Sequence, residues 1–164
     1  MLKTDGIFRK QGNSKRMSEL QVVFDTRPMQ PVDFSSYSVH DVAGLLKRFV
    51  RELPEPIFTM RLQNFFFTTL DMADEKRRLV ALQLLLVILP KHNRDLLFAL
   101  MFFLKRIANN SLIADGNRMD PHNLAVVFAP NIAKAPTIPN SKVFPPFPLS
   151  IPRLYETFLF SSFC

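Results

Sequence analysis

Tryptophan is absent from the 164-residue chain, cysteine occurs once, as Cys164, and there are only four glycines. A single cysteine forms no bridge within one chain, which excludes a disulfide framework and makes the reducing cytoplasm the expected compartment. Cys164 is the last residue, whereas a prenylation signal places its cysteine four residues from the end. "MLKTDGIFRK" lacks the apolar run of a secretory leader, so the sequon-like Asn109–Ser111 carries little weight. The apolar stretch "LVALQLLLVIL" at 79–89 is too short to span a bilayer and reads as a buried helix. No glycine-rich phosphate loop, internal repeat or heptad run occurs. His40, His92 and His122 show no metal-ligand spacing, so no metal and no cofactor is expected. Carboxylates are scattered, and no Ser/His/Asp or Cys/His set can be assembled for hydrolysis.

What remains is apolar and basic. The chain is 48% hydrophobic with seventeen phenylalanines, enough to fold one domain with a sizeable core. Leu-, Phe- and Lys/Arg-rich segments with little β-branched alternation point to an all-α fold. The balance of 21 basic and 14 acidic residues gives +7, which suits an acidic partner but is explained first by a well-solvated surface. Neither a stacking-aromatic basic motif nor a basic amphipathic terminus is present, so nucleic acid and direct membrane binding are not expected.

Helices follow from caps and periodicity. Asn13 or Ser14 opens a helix carrying Met17, Leu20, Val23 and Phe24 at helical spacing. Ser38 and Asp41 have capping-box spacing ahead of an apolar arc through Val39, Val42, Ala43, Leu45, Leu46, Phe49, Val50 and Leu53. "LPEP" ends that helix, because a residue before proline is pushed out of the helical region. Further helices are expected over 59–71, 74–89 and from 90 or 93 to 108. A last one starts at Asp120–Pro121 and stops before Pro130. Seven of the thirteen prolines lie from Pro130 onward, so 134–164 reads as an irregular Pro/Phe-rich tail after a domain at 1–133.

Two places stand out chemically. In "DGIFRKQGN" the apolar pair Ile7 and Phe8 is followed at once by Arg9 and Lys10, as in a loop whose buried residues anchor an outward cation. In the second long helix, His40, Gly44, Lys47 and Arg51 share one stripe beside the apolar arc. The small Gly44 next to two cations leaves room there for another surface to approach.

"GIFRKQGNSKRMSEL", "DVAGLLKRFVRELPEPIF" and "NRMDPHNLAVVFAPNI", joined by "LLVILPKHNRDLLFALMFFLKRIA", stand in the order and spacing of the RhoGAP domain. The chain resembles that family over about 4–133. The resemblance implies an all-α helical bundle that stimulates GTP hydrolysis by a GTP-bound Rho-family small GTPase. It makes Arg9 the catalytic arginine finger. It puts Lys47 and Arg51 on the GTPase-facing surface, with Arg51 also bracing the finger loop. Asn117 matches a family asparagine that contacts the GTPase. Membrane association would then come only through the GTPase. The family begins with a further helix before the finger loop and continues in helical sequence past "APNI", so the chain resembles a domain cut at both ends. The alternative reading is a binding-only relative that engages a GTPase without accelerating hydrolysis.

Overall fold

A computed structural model describes residues 2–27, 30–112 and 115–133. The expectation of an irregular tail at 134–164 falls outside the described residues. Four of the helix starts among the described residues are fixed by a short polar side chain. In α1 (Ser14–Thr26) the Asn13 side chain accepts from the Arg16 amide, and α2 (Val39–Glu52) opens with a complete Ser38/Asp41 capping box. Helix α3 (Thr59–Leu70) follows the loop through Pro54 and Pro56. Asp74 accepts from two amides at the start of α4 (Glu75–Ile88). Pro90 ends that helix and starts α5 (Lys91–Ala108), whose Arg94 reaches back to the Leu86 and Val87 carbonyls at 3.3 and 3.0 Å. Cationic donors on terminal carbonyls satisfy groups a helix end leaves open. Asp120 caps α6 (Pro121–Ile132), with Pro121 in the first turn.

Four pairings build the bundle: α1 on α2, α2 on α6, α5 on α6 and α3 on α4. The α2, α5 and α6 faces meet in one apolar core that includes Val50, Leu97, Leu104, Leu124 and Phe128. Phe66 of α3 stacks on its N-cap residue Phe58 at 4.3 Å. Buried Asn93 ties α5 to the α2–α3 loop by donating to the Pro56 and Ile57 carbonyls. Among the described residues no strand occurs, and no helix is long and apolar enough to cross a membrane.

Three expectations are corrected. Helix α6 runs through Pro130 to Ile132 rather than stopping before it. Proline costs the helix one hydrogen bond, and here Phe128, Ala129 and Ile132 are buried around it, so packing offsets that loss. Helix α4 is only half buried: Leu82, Leu85 and Leu86 face the core, while Val80, Leu84, Val87 and Ile88 are each more than half exposed. The space beside Gly44 is taken from within. A Cβ there would lie 2.8 Å from the Met17 sulfur, so the missing side chain lets α1 close on α2 rather than admitting a partner.

The α1–α2 junction depends on Asp41, which is fully buried. Its two oxygens accept from the Asn13 amide (2.7 Å), the Arg16 Nε (2.7 Å) and the Ser38 amide (2.9 Å). Burial pushes the carboxyl upward, but the Arg16 and backbone hydrogen bonds outweigh it and hold Asp41 well below the usual carboxylate range. Gly12 lies against the same turn: a Cβ would come 2.7 Å from the Asp41 Cα and the His40 carbonyl oxygen.

Replacing Asp41 by Ala leaves two backbone donors and a guanidinium without their acceptor and is expected to cost about 3 kcal/mol in urea unfolding at neutral pH. Because the folded-state value lies below the unfolded one, the carboxylate's contribution is complete above about pH 4 and fades as pH falls below it. Stability of Asp41→Asn should therefore depend less on pH between 5 and 2 than that of the parent. Parallel slopes would show that Asp41 is not the acid-sensitive group.

Candidate functional site

The loop between the chain start and α1 is shaped by what it buries. Ile7 and Phe8 are 4% and 1% exposed, and the Phe8 ring makes edge contacts with Phe103 of α5 (6.1 Å) and Phe128 of α6 (4.8 Å). Phe8 has φ +69° and Gly6 has φ +65°. A left-handed phenylalanine costs about 1–2 kcal/mol, which edge-to-face packing in a dry core offsets. Within the turn, the Arg9 and Lys10 amides both donate to the Gly6 carbonyl, at 2.9 and 2.8 Å. The chain thus reverses over Phe8 and drives Arg9 outward.

Arg9 is exposed, and its guanidinium makes no hydrogen bond or ion pair with any described residue. Lys10 beside it is occupied, its Nζ lying 2.6 Å from Asp5 Oδ2. That hydrogen bond is the main reason the half-buried Asp5 carboxyl sits below its ordinary value, with Lys10, Arg118 and Arg9 adding attraction. Of two adjacent cations, the loop spends one and leaves the planar, bidentate one available.

Lys47 reaches across from α2, its Nζ donating to the Phe8 carbonyl at 2.5 Å. Burial lowers its pKa, and neighbouring Arg51 lowers it further. Bracing of the loop therefore falls to Lys47 and not, as the resemblance implied, to Arg51. The Arg51 side chain is 59% exposed and has Glu52 Oε1 at 4.0 Å as its ion-pair neighbour. The two cations on one stripe have different jobs because only Lys47 points at the loop.

Asn117 is 0% exposed, and its side chain lies inside the protein rather than on a surface that a partner could touch. The amide nitrogen donates to the Leu2 and Ile107 carbonyls, and its oxygen accepts from the Met119 amide. Its main-chain carbonyl accepts from Gly6 N–H at 2.9 Å, at the foot of the Arg9 loop. The amide that reaches the surface nearby is Asn123 in the first turn of α6, whose Nδ2 lies 3.5 Å from the Arg118 carbonyl. Its position in the turn follows from the Asp120 cap and Pro121. Among the described residues no group of three or more His, Cys, Asp and Glu side chains gathers to hold a metal.

The RhoGAP domain model matches residues 1–137. Rho-GTPase-activating protein LRG1 of Saccharomyces cerevisiae is 40% identical over 135 residues, covering 80% of this chain and 13% of that protein. Rho-type GTPase-activating protein 1 of Schizosaccharomyces pombe is 40% identical over 129 residues, or 77% of this chain and 11% of the relative. The chain thus spans a small part of the curated relatives it matches. The crystal structure of human Rho GTPase activating protein 15 superposes with a TM-score of 0.82 at 27% identity, over 96% of this chain and 73% of that one. The BH domain from Graf, the GTPase regulator associated with focal adhesion kinase, shares the fold at a TM-score of 0.77 and 23% identity, over 96% and 79%.

The unequal roles of the α2 cations can be measured without any partner. Lys47→Ala leaves the Phe8 carbonyl without its donor and is expected to lower stability by about 1–2 kcal/mol in urea unfolding. Arg51→Ala should stay within about 0.5 kcal/mol, as exposed substitutions do. Equal losses in the two variants would contradict the bracing role of Lys47.

Proposed function

The chain belongs to the RhoGAP family, and on that premise we propose that it stimulates GTP hydrolysis by a GTP-bound Rho-family small GTPase through Arg9, inserted in trans. The observation that carries the reading is an exposed guanidinium, unpaired among the described residues, on a loop pinned by a buried Phe8 and a lysine bond to its carbonyl. A small GTPase hydrolyses GTP slowly because charge growing on the phosphate oxygens is incompletely stabilised. A guanidinium brought in by a partner supplies two aligned donors to those oxygens and helps hold the water-positioning glutamine of the GTPase. Fingers of this kind are worth about 10³–10⁵ in rate. The loop fits the task because its hydrogen bonds and the buried Phe8 restrict it in the free chain, which lowers the entropy lost on docking.

Around the finger, exposed Arg51 supplies positive charge for encounter with an acidic GTPase surface. Asn123 offers a neutral amide that donates and accepts. Lys47 acts from behind the loop by holding the carbonyl of the residue before the finger.

Arg9→Ala is expected to abolish nearly all stimulation in a single-turnover GTPase assay while affinity for a GTPase loaded with a non-hydrolysable analogue changes little. The finger's interactions are concentrated in the transition state, so the loss is in rate rather than ground-state binding. Arg9→Lys should also fail, since an ammonium cannot present a planar fork. Full stimulation by the alanine variant would remove Arg9 from the mechanism. Arg51→Ala should weaken association and flatten its salt dependence.

A further inference from the structure

We propose that the α5–α6 loop, through Asn117 and Arg118, fixes the position of the finger loop, so that Asn117 is a positioning residue for Arg9. This rests on the GTPase-activating reading above. Every polar group of Asn117 is in use. Its backbone N–H donates to the Asn110 carbonyl at 3.0 Å, which closes the α5–α6 loop on itself. Its side-chain amide spans the Leu2 carbonyl at 2.7 Å and the Ile107 carbonyl at 2.9 Å, joining the segment before the finger to the last turn of α5. Its carbonyl receives the Gly6 N–H at 2.9 Å. One buried residue therefore grips the finger loop at two points, Leu2 and Gly6, and refers both to α5.

Arg118 adds a second, outer hold. Its backbone is left-handed at φ +58°, and its Nε lies 3.7 Å from Asp5 Oδ1, on the residue whose other oxygen holds Lys10. The finger is thus clamped from two sides, by Lys47 of α2 at the Phe8 carbonyl and by the α5–α6 loop at Leu2, Asp5 and Gly6. Gly6 lies three residues before Arg9 in a turn whose amides return to the Gly6 carbonyl, so displacing Gly6 displaces the turn as a unit. A transition-state contact needs its donor within about 0.5 Å of productive geometry. A misplacement of about 1 Å costs up to roughly 100-fold in rate.

The test compares Asn117→Ala and Arg118→Ala with the parent in single-turnover GTP hydrolysis by a Rho-family GTPase. Affinity for the same GTPase carrying a non-hydrolysable GTP analogue is measured beside it. Asn117→Ala is expected to lower the maximal rate roughly 10–100-fold with affinity within about threefold. Because that variant loses buried hydrogen bonds and can lose the fold, Arg118→Ala, with a 77% exposed side chain, provides the second measurement. It should lower the maximal rate several-fold at unchanged affinity. Parental rates in the folded variants, or rate and affinity falling together, would overturn the proposal. Amide hydrogen exchange at Gly6 needs no GTPase: its protection should fall at least about tenfold in Asn117→Ala while α5 amides keep theirs. Unchanged Gly6 protection would overturn the positioning role by itself. A parent chain that stimulates no Rho-family GTPase, yet shows the exchange effect, would instead overturn the function proposed above.

Discussion

The burial of Phe8 in a left-handed conformation, between Phe103 and Phe128, is the constraint on which the site depends. A φ of +69° at a phenylalanine is unfavourable in isolation, and it persists because the ring fills a dry space between α5 and α6. With the ring fixed, the chain has one way to continue. The next two amides fold back onto the Gly6 carbonyl, and the side chain of Arg9 leaves the surface. Exposure of the cation and burial of the aromatic are two consequences of one local geometry. Lys47 then finds the Phe8 carbonyl turned toward α2, where a half-buried ammonium gains a strong acceptor in return for its desolvation.

The elements that carry this loop are joined by directional polar contacts. Asp41 belongs to α2, yet its carboxylate holds the Asn13 amide and the Arg16 side chain, so the cap of one helix is the anchor of another. Gly12 permits that approach because any side chain there would collide with the α2 backbone. The loop between Gly6 and Gly12 is consequently fastened at both ends: to Asn117 at the first and to the first turn of α2 at the second. Dispersion supplies the attraction, while these directional bonds select the register in which Arg9 emerges.

The surface carries more apolar area than the site requires. Val80, Leu84, Val87 and Ile88 form a stripe on the outer face of α4, and Phe24 and Phe49 border a groove of about 690 Å³ between α1 and α2. Such areas are not neutral in water, since each large side chain left exposed forfeits about 1.5–3 kcal/mol. They mark the faces at which solubility and self-association would respond most to substitution.

Sequence alone determined the helices, because caps and periodicity are local. Asn13, Ser38 with Asp41, and Asp120 with Pro121 each stood next to the turn they begin. The Ile7–Phe8–Arg9 order likewise showed a buried pair beside an outward cation, and it aligned the chain with its family. Sequence spacing could not show what a side chain reaches across the fold. Lys47 and Arg51 are equivalent on a helical wheel, yet only Lys47 finds the Phe8 carbonyl, thirty-nine residues earlier. Asn117 stands in a polar stretch that reads as surface, and tertiary contacts with Leu2 and Gly6 bury it. Pro130 reads as a helix stop, and packing around Phe128 and Ile132 carries the helix past it. Local patterns fix the backbone's short-range choices, whereas the partner of a long side chain depends on which helices meet, and that was decided only when the core closed.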